Sequence, residues 1–326
     1  MFLQPVEIGS LKISGNIFAA PMAGYTDCVT RYIACKNGAF LAYTEMISSE
    51  ALVRNSPRTL SMLKRFPGEN ILAVQLFGSN PETLGRAALI AAENGAGLID
   101  LNAGCPVRKV TQKGGGAALG RDIRKLSLAI RAMVKAGLPV TVKIRSGWDE
   151  TELNWREAVH AVIQEGASAI GFHPRTCRQG YGGKADWKAL GEMSAASPVP
   201  VIGSGDLNTP SAVLKMLKET SCSGVMIARG AVGEPEIFSR TSSLLNMGMP
   251  GTPPTPEVRL RNAKNHLLLA AEAFGENAAA RDMKKHLAAY VRGWPSASKL
   301  RSNLMKAANI SAQLALLNGV IQEGMV

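Results

Sequence analysis

One cysteine, Cys105, lies in the stretch GLIDLNAGCPVRKVTQKGGGAAL, between an apolar run and a basic, glycine-rich segment. A thiol with an unperturbed pKa of about 8.5 is mostly protonated at neutral pH and can act as a general acid. A cysteine beside an apolar run is more often a buried structural thiol. Here Asn102 precedes the thiol and Pro106 stiffens the chain directly after it. We therefore predict that Cys105 is a reactive residue in a loop.

Other polar side chains interrupt or close the apolar runs of the sequence. Lys143 lies within PVTVKIRSG, and burying its ammonium group is unfavourable unless it is paired or bound to a ligand. Together with Arg145 it would stabilise negative charge that develops on a bound electron-rich ring. His173 closes a later run and, taken alone, fits a hydrogen-bonded core histidine equally well.

The elements that must position these side chains follow from eight short runs rich in Val, Ile, Leu and Ala, which are typical of buried parallel strands. The runs begin at Ile17, Phe40, Ile71, Gly97, Pro139, Ser168, Val199 and Ser223. Most are separated by a helical pattern such as PETLGRAALIAAENGA. We predict an α/β fold, a (β/α)8 TIM barrel, with its active site where the strands end. A doubly wound sheet is the alternative.

Two glycine-bearing loops close late runs of this pattern. They are GSGD, from Gly203 to Asp206, and ARG, from Ala228 to Gly230. Backbone N–H groups in such loops can approach a phosphate closely, so a phosphorylated cofactor across the barrel mouth is expected. Taken alone, GSGD is only a weak turn signal.

Composition sets outer limits on the protein. No apolar run reaches the roughly 18 residues of a membrane span, and the N-terminus lacks the features of a secretory signal, so a cytoplasmic protein is expected. The five cysteines and four histidines are dispersed without a C-x-x-C pair, so neither a metal site nor a disulfide framework is expected. The formal charge of +12 favours a polyanionic partner such as nucleic acid, with a solvated surface as the alternative.

The alternation of strand-like and helical stretches ends at about residue 245. Four prolines between Pro250 and Pro256 indicate a linker over 246–256, between a barrel over 1–245 and a small all-helical domain over 257–326. In that helical domain Lys284, Lys285 and Arg292 are expected to share one broad helix face. A basic face suits a nucleic-acid backbone, although a solvated face is the simpler explanation.

Nine stretches taken in order resemble the tRNA-dihydrouridine synthases, with the bacterial B-type subgroup most similar. They are APMAGYTD, QLFG, DLNAGCP, KGGGAAL, VKIRSGW, HPRT, VIGSGD, MIARGA and RDMKKHLAAY. The resemblance implies an FMN-containing barrel, a C-terminal helical domain that helps to bind tRNA, and reduction of particular uridines at the expense of NADPH.

The resemblance also implies roles for individual residues. Cys105 matches the catalytic acid, and Asn102 and Arg175 match positions near the flavin and the substrate base. The positions that it assigns to the flavin are Pro21, Met22, Ala23, Gln75, Lys143, His173, Ser204, Gly205, Asp206, Ala228 and Arg229. Arg145 is expected near the substrate base.

Arg108, Lys109 and Lys113 lie in the loop after the cysteine, followed by three glycines. We predict that this loop is a flexible basic flap that closes over the target nucleotide. Two other functions stay open at this point. One is another FMN barrel, such as a dihydroorotate dehydrogenase-like enzyme, and the other is an RNA-binding protein that has lost catalysis.

Overall fold

The computed structural model describes residues 2–294 and 297–322. The strands in these residues are β1 (Val6–Ile8), β2 (Leu11–Ile13), β3 (Ile17–Ala19), β4 (Leu41–Ala42), β5 (Ile47–Ser48), β6 (Leu72–Phe77), β7 (Ala96–Ala103), β8 (Val140–Arg145), β9 (Ala169–His173), β10 (Val201–Ser204) and β11 (Gly224–Ile227). Nine of them, β3 to β11, form one parallel sheet in the order β4-β3-β11-β10-β9-β8-β7-β6-β5.

The sheet closes on itself within the second predicted run. β4 pairs with β3, whereas Tyr43, directly after β4, forms a parallel bridge with Ala73 of β6. The backbone N–H of Thr44 also donates to the Ala73 carbonyl at 2.9 Å. The chain then continues as β5, which pairs with β6. The predicted (β/α)8 barrel is therefore confirmed, with its second strand divided into two short pieces.

Helices on the outside of the barrel follow the strands. They are α1 (Cys28–Lys36), α2 (Ser49–Val53), α3 (Pro57–Ser61), α4 (Pro81–Glu93), α5 (Arg108–Thr111), α6 (Ala117–Arg121), α7 (Ile123–Met133), α8 (Trp155–Gln164), α9 (Trp187–Ala196), α10 (Pro210–Thr220) and α11 (Ile237–Met247). α4 shows why they form: the Asn80 side chain accepts a hydrogen bond from the Thr83 N–H, and Pro81 occupies the first turn. One face of α4 is apolar and buried against the sheet.

The hairpin of β1 and β2 was not predicted from the sequence. Its strands are antiparallel, and Val6, Ile8 and Ile13 are buried in one cluster with residues from inside the barrel, among them Leu98 and Ile202. Leu98 and Ile202 lie near the starts of β7 and β10. The hairpin therefore covers the end of the barrel opposite to the carboxyl ends of the strands. No helix of the described residues is long and apolar enough to cross a membrane.

The part of the chain described after the barrel contains five more helices. They are α12 (Pro256–Phe274), α13 (Glu276–Asp282), α14 (Lys284–Tyr290), α15 (Ala297–Lys306) and α16 (Ile310–Gln322). They bury a separate apolar cluster that includes Leu260, Leu267, Leu287 and Leu304. The domain boundary over 246–256 stays a prediction; between α11 and α12 the segment from Gly248 to Thr255 has no helix or strand.

The helical region lies against α1 and against the segment after β11. The Thr30 hydroxyl is 3.3 Å from Nε2 of His266 in α12, and the other ring nitrogen of His266 is 3.2 Å from the Tyr290 hydroxyl. Burial lowers the pKa of His266 to about 3, so this imidazole is neutral. Gly233, with φ of 81°, abuts the backbone of Ala289, and a side chain there would lie 2.5 Å from the Ala289 carbonyl carbon.

The predicted basic helix face is only partly present. α14 ends at Tyr290, so Arg292 lies in the turn beyond it, ahead of Gly293, whose φ is 83°. Lys284 donates to the Met305 carbonyl at 2.9 Å, and Lys285 lies over the Tyr25 ring at 5.3 Å. The expectation of one continuous face through Lys284, Lys285 and Arg292 is therefore wrong, because the helix stops before Arg292.

A buried ion pair ties α1 to the segment before β6. Arg31 Nε donates to Glu69 Oε1 at 2.6 Å, and Arg31 Nη2 donates to Glu69 Oε2 at 3.0 Å. Both side chains are only 1% exposed. Nη2 also donates to the carbonyl of Lys64 at 2.9 Å. The guanidinium therefore binds the chain both before and after the turn at residues 67–68.

We predict that Glu69→Gln lowers the free energy of unfolding by about 3 kcal/mol or more, because it leaves the buried Arg31 charge without a carboxylate. Glu7→Gln is the matched control, since Glu7 pairs with Lys12 at the surface, and its effect should be below about 1 kcal/mol. Urea titration followed by circular dichroism measures both. Equally small effects in the two variants would contradict a structural role for the buried pair.

Candidate functional site

A cavity of about 520 Å³ opens at the carboxyl ends of the barrel strands. Of the residues singled out in the sequence, it is lined by Pro21, Met22, Ala23, Gln75, Asn102, Cys105, Lys143, Arg145, His173, Ser204, Gly205, Asp206, Ala228, Arg229 and Arg292. Every position that the family resemblance assigns to the flavin thus lies in one cavity with the predicted acid. The cavity has the size of a site for a small organic ligand.

Strand register explains why these polar side chains meet. Residues directly opposite one another on neighbouring parallel strands point to the same face, and the register pairs Gln75 with Asp100, Asn102 with Lys143, and Arg145 with His173. Alternate residues such as Leu101 and Val142 face the outer helices. The polar residues therefore form layers inside the barrel near its open end.

Asp100 is fully buried in this interior, and Lys143 lies half-buried at the cavity. Burial, with the neighbouring Arg145 charge, lowers the pKa of Lys143 to about 8, and Asp100 opposes the shift. Burial raises the pKa of Asp100 to about 6, although hydrogen bonds from Thr141 and Gln75 act to lower it. At neutral pH both groups remain mainly charged, so Lys143 presents a cation to the cavity.

Cys105 is half-buried at the cavity wall. Burial raises the pKa of its thiol, while the Val107 N–H and the charges of Arg145 and Lys143 act in the opposite direction. The thiol is therefore protonated at neutral pH, which is the state that a proton donor requires.

The main chain at Cys105 is held from several sides. The Cys105 carbonyl accepts from the Ala117 N–H at 3.0 Å, and Arg145 Nε donates to the Gly104 carbonyl at 2.8 Å. Gly116 packs against Cys105 with φ of 58°, a conformation that disfavours other residues. The segment after the cysteine forms α5 and α6, and its buried residues pack against the barrel. Closure of this segment as a flexible flap over the target nucleotide stays a prediction.

The basic residues of that segment do not line the cavity. Arg108 and Lys109 are exposed on α5, and Lys113 is exposed in the turn that follows it. Their predicted contact with substrate would therefore be made on the protein surface, outside the cavity lining. Lys284 and Lys285 are also outside the cavity lining.

Arg175 does not lie where the sequence analysis expected it. Its side chain is 1% exposed and is absent from the cavity lining. Nη2 donates to both carboxylate oxygens of Asp206, at 2.7 and 2.9 Å, and to the Gly183 carbonyl at 2.7 Å. Its Nη1 lies 3.1 Å from Nε2 of His173. Direct contact with substrate is thus corrected to a supporting position, because the side chain lies behind the cavity wall and each of its three guanidinium nitrogens has a protein partner.

Arg145 is similarly engaged, although it reaches the cavity wall. Its Nη1 donates to the carbonyls of Thr176 and Gly180 at 2.9 and 2.7 Å. The guanidinium also lies 5.5 Å from the ring centroid of Tyr181. Arg145 therefore fixes the loop that carries Tyr181 and contributes positive charge to the site.

The far end of the cavity combines a neutral histidine with an exposed cation. Burial, reinforced by the nearby cations, holds the pKa of His173 well below its ordinary value. Because Arg175 can only donate to Nε2, the neutral ring carries its proton on Nδ1. Arg229 is exposed, makes no salt bridge within the described residues, and lies 4.9 Å from the ring centroid of Tyr181.

Several residues of the site were missed in the sequence. Tyr181 lines the cavity with its side chain 60% exposed, and Met46 and Asn208 line it as well. The signal for Tyr181 was available, since an aromatic residue between glycines in QGYGG is unusual for an ordinary loop. Asp100, buried beneath the cavity, was read only as part of an apolar strand.

An eight-unit barrel with its cationic, thiol-bearing cavity at the carboxyl ends of the strands defines the class of (β/α)8-barrel enzymes. The solved structures with this fold include an old yellow enzyme homologue from Zymomonas mobilis, at a TM-score of 0.52 and 13% identity over 78% of this chain and 95% of that one. Histamine dehydrogenase from Rhizobium sp. 4-9 gives a TM-score of 0.57 and 14% identity over 73% of this chain and 47% of that one.

The family is shown by sequence. The family model "Dihydrouridine synthase (Dus)" matches residues 18–324. A probable tRNA-dihydrouridine synthase of Treponema pallidum is 44% identical over 89% of this chain and 88% of its own length. The tRNA-dihydrouridine synthase B of Xanthomonas axonopodis pv. citri is 33% identical over 95% and 94%. The chain belongs to the dihydrouridine synthase family and is an oxidoreductase, as the resemblance implied.

We predict that Gly116→Ala displaces Cys105, because the added Cβ would lie 2.6 Å from the Cys105 carbonyl oxygen. Gly137→Ala is the matched control, since Gly137 also has a positive φ, 76°, with no atom within 4 Å of the added carbon. Gly137→Ala should lose about 1 kcal/mol of stability to backbone strain, and Gly116→Ala should lose more, because its φ of 58° and ψ of −130° lie outside the left-handed helical region. Only Gly116→Ala should change the iodoacetamide alkylation rate of Cys105, by about fivefold or more, measured by peptide mass spectrometry. The same rate in both variants would contradict the contact.

Proposed function

We propose that this protein reduces uridines in tRNA to 5,6-dihydrouridine, with FMN as its flavin and NADPH as the reductant. The observation that carries the proposal is the position of the protonated Cys105 thiol in one cavity with Gln75, Asn102 and Lys143. Membership of the dihydrouridine synthase family supports the reaction and the tRNA substrate.

The cavity suits a flavin mononucleotide in its donor chemistry. Gln75 and Lys143 supply an amide and a cation at the centre of the barrel, where they would contact the flavin ring. Arg229 and the backbone of Ser204 and Gly205 lie at the end formed by the last two barrel strands, where they would hold the phosphate. Pro21, Met22 and Ala23 would lie along the ring, and His173, Asp206 and Ala228 would complete the phosphate and ribityl end.

The chain's own residues would supply the proton. When bound and reduced by NADPH, FMN supplies the hydride for C6 of the uracil ring. Cys105 donates its thiol proton to C5 from the opposite face, and the thiolate that remains recovers a proton from water before the next turnover. Lys143 and Arg145 stabilise the negative charge that develops on the uracil carbonyls.

Access of the uridine requires a change in the tRNA. The thiol and the flavin must face opposite sides of one uracil ring, so the target nucleotide has to leave its stack and enter the cavity. Asn102, and Tyr181 with its exposed ring, line the cavity and would contact that base. Arg292, which comes from the helical region, lines the same cavity and would contact the adjoining phosphates.

We predict that Cys105→Ala lowers dihydrouridine formation by about 100-fold or more, because the proton donor is lost. Cys35→Ala, which removes a half-buried thiol of α1 outside the cavity, should retain activity. The measurement is mass-spectrometric dihydrouridine content of initially unmodified tRNA after incubation with FMN-loaded protein and NADPH. Activity of Cys105→Ala equal to the wild type would remove Cys105 as the acid.

The same assay separates the alternatives. Flavin-loaded wild type that reduces no tRNA uridine but turns over dihydroorotate would indicate another FMN-barrel activity. Purified protein that binds tRNA and retains no flavin would indicate an RNA-binding protein without catalysis. Repeating the assay with NADH in place of NADPH tests the proposed reductant.

Replacing Arg108, Lys109 and Lys113 together with Ala is expected to weaken tRNA binding. The loss of three phosphate contacts should also reduce the slope of log affinity against log salt by about 2 to 3. The matched control replaces Lys12, Lys135 and Lys218 with Ala, which removes the same charge from exposed positions at the other end of the barrel. Filter binding over a salt series measures both. Equal slopes for the two triple variants would contradict contact by the α5 segment.

A further inference from the structure

Asp100 is a buried carboxylate for which neither the sequence analysis nor the proposed reaction has a use. It is 0% exposed on β7, and the register places it between Gln75 of β6 and Thr141 of β8. Thr141 Oγ1 donates to Asp100 Oδ1 at 2.6 Å, and Gln75 Nε2 donates to Asp100 Oδ2 at 2.6 Å. Each carboxylate oxygen therefore has one strong protein donor.

The hydrogen bonds continue from Gln75 to the cysteine loop. Asn102 Nδ2 donates to Gln75 Oε1 at 2.8 Å. Asn102 Oδ1 accepts from the backbone N–H of Gly104 at 3.2 Å and of Cys105 at 2.9 Å. We call Asp100, Gln75 and Asn102 the interior relay.

The direction of every bond in the interior relay is fixed at its two ends. A carboxylate can only accept, so the NH2 group of Gln75 must point to Asp100 and its oxygen must point to Asn102. Backbone N–H groups can only donate, so the oxygen of Asn102 must point to Cys105. Reversal of either amide would place two donors or two acceptors together in the buried interior, which is unfavourable.

We propose that Asp100 is a positioning residue that sets the place of the Cys105 main chain, and with it the thiol, through the amides of Gln75 and Asn102. It touches neither the cavity nor the thiol itself, so it acts only through this relay. The inference rests on the proposed function for its catalytic consequence, but the positioning of Cys105 is a property of the chain alone.

The first test is hydrogen exchange of the Gly104 and Cys105 amides, whose N–H groups end the relay. Asp100→Leu removes the acceptor for Gln75, and exchange at these two amides should become about tenfold faster or more, whereas peptides of β10 keep their wild-type rates. Asp100→Asn retains an acceptor oxygen for Gln75 and should restore slow exchange. Thr241→Val is the matched control, because Thr241 is a fully buried residue of α11 whose hydroxyl donates to the Ile237 carbonyl, outside the relay.

Unchanged exchange at Gly104 and Cys105 in folded Asp100→Leu would overturn the proposal. If that variant does not fold, Gln75→Leu carries the test, since it removes the amide that joins Asp100 to Asn102. Gln75→Leu should then speed exchange at the two amides relative to Thr241→Val, and equal rates would overturn the proposal.

Turnover provides the second readout. In flavin-loaded Asp100→Leu, kcat for tRNA should fall about tenfold or more while KM for tRNA changes less than about threefold, because the acid is misplaced and the tRNA surface is not. Asp100→Asn should lose less of kcat than Asp100→Leu. A wild type without activity would refute the proposed function and leave the exchange result standing. An active wild type with unaltered exchange and kcat in Asp100→Leu would refute only this inference.

Discussion

A half-buried lysine and a fully buried aspartate in one barrel interior set the condition that the rest of the site has to meet. Taking Lys143 and Asp100 out of water is unfavourable unless protein groups replace the lost hydration. Thr141 and Gln75, on the two neighbouring strands, donate hydrogen bonds to the Asp100 carboxylate. The negative charge of Asp100 in turn offsets part of the positive charge of Lys143. The net charge at the cavity remains positive, which favours ligands that carry or develop negative charge.

The barrel interior is apolar at one end and polar at the other. At the closed end the hairpin of β1 and β2 covers an apolar cluster, so that part of the interior needs no polar partners. At the open end polar layers replace the apolar one, and Arg145 and Arg175 are both fastened there, Arg145 to backbone carbonyls and Arg175 to a carbonyl and a carboxylate. Rigid donors in fixed places reduce the reorganisation that a reaction in the cavity would need.

The sequence predicts the barrel well because buried parallel strands leave continuous apolar runs, and seven of the eight runs contain a strand of at least three residues. The cavity residues follow, because the ends of parallel strands meet at one edge. The divided second strand, the hairpin and the partners of Arg175 were missed, since each depends on contacts between distant segments. Asp100 was missed for a related reason: a single acidic residue in GLIDLNAG carries no local sign of what lies opposite to it on β6 and β8.

The position of Arg292 bears on how this architecture can be altered. It belongs to the turn after α14 yet lines the barrel cavity, and Arg259 of α12 donates to its carbonyl at 3.2 Å. Gly233 of the barrel in turn admits the backbone of Ala289 at a distance that no side chain would allow. The helical region is therefore not an interchangeable module. A chimera that joins this barrel to the helices of a relative would exchange a cationic residue of the cavity lining at the same time, and recombination between relatives is constrained to preserve both halves of that contact.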